Sequence, residues 1–128
     1  MGRVTVVDAD VLADFLNREG AWEAVQAHIR ARTIATAAIA AFEVWCGLHT
    51  EHARAAFRDV LRPMKSRIYP VEARTAARAG ELFRELGLGK GQRDCLIAAT
   101  CLERRAPILT GNWRHFERVP GLAVIRAR

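Results

Sequence analysis

At 128 residues, with 51% hydrophobic and 27% charged residues, the chain has the size and composition of one globular domain, 1–128, that can bury a core without disulfide or metal staples. Its 20 Lys plus Arg against 14 Asp plus Glu give a net charge of +6, and 18 of those cations are Arg, which permits a polyanionic partner without requiring one. No apolar run approaches the roughly 18 residues of a membrane span, and Met1-Gly2-Arg3 leads straight into a strand-like run with no signal peptide, so a cytoplasmic protein with no membrane attachment is expected.

Residues 3–7 read as a short buried strand, because a continuous β-branched run suits a parallel strand covered on both faces. Helices are expected over 11–17 and 21–31, broken at Gly20. Thr33-Ile34-Ala35 is a weak second strand, and Thr36 reads as the N-cap of a helix through about residue 48. A further helix over 51–61 ends before Pro63, and Arg67-Ile68-Tyr69 is a third strand. In the helix expected over 71–87, Ala76, Ala79, Phe83 and Leu86 form an apolar stripe, and Gly87 is the stop. Residues 92–105 form a nearly all-apolar helix that must be central. Pro107-Ile108-Leu109-Thr110 and Leu122-Ala123-Val124-Ile125 complete five strands. Short strands alternating with helices imply an α/β fold with a mostly parallel sheet.

Three acids break this apolar pattern. Asp8 closes the first strand, Glu43 lies within Ala37–Cys46, and Asp94 directly precedes an apolar helix. Withdrawing an ionised carboxylate from water is costly unless a cation or hydrogen bonds compensate. With no Lys or Arg obviously paired to all three, a shared hard divalent cation is the natural partner. Asp8 belongs at the carboxyl rim of the sheet, where open α/β folds bind ligands. Asp10 reads as a helix N-cap, and Asp94 falls in a first helical turn, where a carboxylate complements the dipole. Thr110 and Asn112, just past the fourth strand, are candidate oxygen ligands at the same crevice, or simply part of a polar turn.

Other constellations are weaker. Gly87-Leu88-Gly89-Lys90-Gly91 follows a helix, lacks Walker and dinucleotide spacing, and reads as a flexible connection. Cys46, Cys95 and Cys101 have no metal or disulfide spacing and are expected as buried, inert thiols. His28, His49, His52 and His115 form no ligand pair of recognised type and are expected in solvent. No Ser/His/Asp or Cys/His arrangement for nucleophilic catalysis is visible.

Taken in order, several segments resemble the PIN-domain nucleases. Val6-Val7-Asp8-Ala9-Asp10-Val11-Leu12 is similar to the opening of that family. Ala41-Phe42-Glu43-Val44 is similar to its second acidic motif, and Arg93-Asp94-Cys95-Leu96-Ile97-Ala98-Ala99-Thr100 to its third. Ala106–Asn112, His115-Phe116 and Val119–Leu122 resemble the closing segment. The resemblance runs over essentially the whole chain and implies a three-layer α/β/α sandwich. Small stand-alone members are mostly VapC-like toxins of toxin–antitoxin pairs. By that likeness the chain is a metal-dependent endoribonuclease, dimeric, with an RNA substrate and a cognate antitoxin that occupies the catalytic groove. Asp8, Glu43 and Asp94 match the family's acids and would hold Mg²⁺ or Mn²⁺. Asn112 stands where a fourth Asp is usual, which removes one negative charge from the catalytic set. A processing nuclease for RNA or DNA outside any toxin system, and a catalytically weakened binding module, stay open beside this reading.

Overall fold

The structure, a computed structural model, describes residues 3–87 and 91–127. Residues 88–90 of the expected glycine-rich connection lie outside that range. The chain alternates β1 (Thr5–Val7), α1 (Ala9–Asn17), α2 (Trp22–Arg30), β2 (Ile34–Ala37), α3 (Ala38–Cys46) and α4 (Glu51–Leu61). A 3-10 stretch (Arg62–Arg67) leads to β3 (Ile68–Tyr69), α5 (Ala73–Leu86), α6 (Gln92–Arg104), β4 (Ile108–Thr110), α7 (Trp113–Phe116) and β5 (Val124–Arg126).

The five strands form one sheet in the order β3-β2-β1-β4-β5, every neighbouring pair parallel. Val7 pairs with Thr36 on one side and Leu109 on the other, so the carboxyl ends of three strands come level. Right-handed crossovers send the helices after β1 and β2 to one face and those after β3 to the other. The packing agrees: α1 lies on α2, α3 and α4, whereas α5 packs along α6. This is the expected three-layer α/β/α sandwich. Val6, Val7, Ile34, Ile97 and Ile108 are fully buried between the layers, each contributing about 1.5–3 kcal/mol by removal from water.

Local departures from the expected elements have physical causes. Thr36 is no helix cap: it is the third residue of β2, fully buried, and its Oγ1 donates to the Val7 carbonyl at 2.7 Å. Burial against β1 therefore overrides its capping preference, and α3 starts at Ala38 without a side-chain cap. The buried stripe of α5 is Thr75, Ala79 and Leu82, and Ala76 is exposed. Thr75 explains the rotation, because its hydroxyl donates to Glu103 of α6 at 2.6 Å. Gly87 does stop α5, in the left-handed conformation (φ 53°) that glycine adopts without Cβ strain. β5 lies two residues later than its start was expected, because it is Val124 that pairs with Ile108. Cys95 and Cys101 are buried as expected, but Cys46 is exposed at the last turn of α3.

Candidate active site

In a sheet ordered β3-β2-β1-β4-β5 the chain's progression reverses between β1 and β4, and the crevice at such a switch point opens beyond the strand carboxyl ends. Asp8 follows β1 there and Thr110 ends β4. The Asp8 backbone N–H donates to Leu109 O at 3.0 Å, locking the junction. Asp8 is 6% exposed and both its carboxyl oxygens are engaged. Oδ1 accepts from the Ala9 N–H at 2.8 Å, and Oδ2 accepts from the Thr110 hydroxyl at 2.7 Å. Asp8, rather than Asp10, is thus the N-cap of α1, and the helix begins at Ala9. Asp10 sits in the first turn and its Oδ2 accepts from the Gly111 N–H at 3.0 Å, tying α1 to the turn after β4.

The other two acids arrive on helices that pack against each other. Glu43 is half-buried in α3, and Asp94 is half-buried in the first turn of α6. Asp94 Oδ2 lies 3.1 Å from Nδ1 of His115 on α7. Sequence reasoning left His115 in solvent. Only the folded α7, which buries Phe116, brings the preceding imidazole to α6. Asn112 itself is exposed at the rim, and its backbone N–H donates to Thr110 Oγ1 at 2.9 Å.

These groups feel one another. Burial pushes the Asp8 carboxyl from 3.8 up to about 7; the Asp10 and Asp94 charges add to the rise, against the Thr110 and Ala9 hydrogen bonds. Glu43 is also pushed above its ordinary value, by burial and then by Asp94 and Asp10, with Arg93 pulling the other way. Among the described residues no Lys or Arg forms an ion pair with Asp8 or Glu43. The structure therefore gathers Asp8, Asp10, Glu43 and Asp94 at one rim, with Thr110 directly on Asp8.

Glu43 Oε1 is buried with no hydrogen-bond partner, a costly state for a carboxylate oxygen. A cation at the rim would satisfy that oxygen and relieve the mutual repulsion, so the donor set fits a hard divalent ion. Among the described residues no three acidic, imidazole or thiol groups already surround one point as ready ligands. Mg²⁺ commonly keeps several waters and takes only one or two carboxylates, so a sparse set is compatible with it.

With this geometry in place, the comparisons identify the class. The PIN domain model matches residues 5–122, and the chain belongs to that family. Among solved structures it is similar to a chain of a toxin-antitoxin complex from Klebsiella pneumoniae, at 27% identity and TM-score 0.77, over 97% of this chain and 98% of that one. It is likewise similar to a chain of VapBC2 from Rickettsia felis bound to a DNA fragment from their promoter, at 21% identity and TM-score 0.80, over 96% and 98%. DNA-bound VapBC from Salmonella typhimurium has a similar chain at 20% identity and TM-score 0.78, over 99% and 100%. No curated protein matches the chain.

Proposed function

We propose that this PIN-family chain is a Mg²⁺- or Mn²⁺-dependent endoribonuclease, the toxin of a toxin–antitoxin pair, acting in the cytoplasm as a homodimer. The observation that carries the reading is the Asp8 carboxyl. Burial, and after it the charges of Asp10 and Asp94, raise it toward neutrality, in a chain whose net charge is +6 and whose many arginines leave it unpaired. Concentrating like charges away from available counter-charges is destabilising, and such perturbed groups cluster at functional sites. Support for the toxin role comes from the toxin–antitoxin complexes above and from the family, whose members are in general nucleases.

In this reading Asp8 and Asp94 would hold the cation, with Glu43 meeting it directly or through water, and Asn112 would lend a neutral amide at the rim. A bound divalent ion would supply positive charge for the phosphodiester and make water a usable nucleophile near neutral pH. Where Glu43 meets the ion through water, its Oε1 would accept that water's proton as the water oxygen bonds to phosphorus, and the leaving 3′-oxygen would take its proton from solvent as its bond to phosphorus breaks. Thr110 keeps the Asp8 carboxylate oriented through its hydroxyl, and His115 does the same for Asp94. Arginines near the rim hold the RNA backbone.

The amide of Asn112 in place of a fourth acid favours one other reading, a binding module with weakened chemistry. The deciding experiment titrates Mn²⁺ into the pure full-length chain with a structured RNA and compares Asp8→Asn and Asp94→Asn. Metal-dependent cleavage lost in both variants, with growth arrest on expression relieved by a co-expressed neighbouring gene product, is the expected result. RNA binding without cleavage at any Mn²⁺ concentration overturns the enzyme assignment in favour of the binding module.

A further inference from the structure

Phe42 is 47% exposed and is the one aromatic among the large exposed hydrophobic residues described. It immediately precedes Glu43 on α3. The Arg93 guanidinium, immediately preceding Asp94 on α6, stands over its ring at 5.6 Å. The two helices pack together, so an open aromatic face and a cation are set one residue away from two of the clustered acids. Three other rings have closer partners. Trp113 lies under Arg126 at 3.8 Å and Arg114 at 4.7 Å, Tyr69 under Arg104 at 4.2 Å, and Trp45 packs on Phe57 at 4.8 Å.

An aromatic ring left in water beside a phosphate-handling site, with a guanidinium at hand, has the chemistry of a base-stacking platform. Any nucleobase has a π-face that it can lay on the ring, and the cation can serve base or backbone. Bases inside a duplex already have both faces stacked and are not available for this. We propose that Phe42, backed by Arg93, stacks an unpaired nucleobase of the RNA next to the cleaved phosphodiester. This rests on the ribonuclease reading given above.

The test uses the full-length chain with Mn²⁺ and a hairpin whose loop is unpaired, comparing Phe42→Leu and Phe42→Trp with wild type. Loss of the ring is expected to raise KM for loop cleavage about tenfold with kcat within about twofold, and Trp is expected to restore KM. A fully paired RNA of the same composition is expected to be cleaved at least about tenfold less efficiently by wild type. An unchanged KM in Phe42→Leu, a rise that Trp does not rescue, or equal cleavage of paired RNA overturns the proposal. So does a lower oligomeric mass of Phe42→Leu by light scattering, which assigns the ring to contact with a second copy. If wild type cleaves neither RNA, the ribonuclease reading is what fails. Metal-free binding of the same hairpin, measured by fluorescence anisotropy, then decides the platform: about tenfold weaker binding by Phe42→Leu supports it, and equal binding overturns it.

Discussion

Replacing Asp8 by Asn is expected to stabilise the metal-free protein while destroying cleavage. An acid whose half-point moves from 3.8 unfolded to about 7 folded binds its proton more tightly in the native state. The unfolded chain then holds fewer protons than the folded one across that window, so stability falls as pH rises from about 4 to about 7. Above that window the cost stays constant at about 4 kcal/mol, from the tenfold-per-1.36 kcal/mol relation, and at pH 5 it is below about 2 kcal/mol. Asn carries no charge and escapes this cost. It also keeps only one acceptor oxygen where Asp8 uses two, for Ala9 N–H and Thr110 Oγ1, and one disrupted hydrogen bond costs about 1 kcal/mol. The net gain at pH 8 is therefore about 2–3 kcal/mol, or roughly 6–15 °C in Tm for a domain of this size. Thermal melts in chelator at pH 5 and pH 8 measure it directly. A Tm for Asp8→Asn at or below wild type at pH 8, or a gain that does not shrink toward pH 5, refutes the account of a repelled, buried carboxylate.

Four further outcomes follow from the same geometry. Mn²⁺ at pH 8 should raise the Tm of wild type and leave Asp8→Asn nearly unmoved, because the carboxylate that gains from the ion is gone; equal shifts would place the ion elsewhere. Asp94→Asn should abolish cleavage with a circular dichroism spectrum like wild type, since the amide is nearly isosteric and its side chain meets His115 at the rim; residual activity above about 1% would remove it from the catalytic set. Thr110→Val deletes the hydroxyl that donates to Asp8 and accepts from Asn112 N–H, and should cost about 1–3 kcal/mol in urea unfolding. It should also move the acidic limb of the pH–activity profile upward, because that hydroxyl is the strongest influence lowering the Asp8 half-point. Phe57→Ala empties a fully buried site beside Trp45 and should cost about 3–5 kcal/mol, read from the same unfolding curves.

What could be read from the sequence divides along a physical line. Elements announced by hydrophobic pattern were legible: the β-branched run ending at Val7, the helix over 51–61, and the apolar α6 that proves central. The acids were legible for the complementary reason, as charges where the pattern demanded apolar side chains. Decisions between two satisfied states were not. Thr36 could cap a helix or bond across strands, and only the proximity of Val7 O, 29 residues away, settles it. The roles of Asp8 and Asp10 exchange for a similar reason, because Gly111 N–H offers Asp10 a partner 101 residues distant. His115 was missed because nothing in its neighbours reveals that α7 faces α6.

The site's placement follows from topology more than from any single residue. A parallel sheet brings all its strand carboxyl ends to one rim, and the reversal between β1 and β4 opens that rim exactly where Asp8 and Thr110 meet. Strands alone can deliver only those two groups. The remaining acids must come from helices leaning over the crevice, and α3 and α6, on opposite faces of the sheet, are in contact there. Each face thus contributes one carboxylate, Glu43 or Asp94, to a cluster in which burial first, and then the charges of Asp10 and Asp94, hold Asp8 near its proton. A ligand that brings positive charge between the faces gains from all of these carboxylates together, and one that neutralises only Asp8 leaves Glu43 Oε1 unbonded. That difference makes the coupling of metal binding to stability, measured separately for Asp8→Asn and Glu43→Gln, the sharpest reading of how the two layers share the ion.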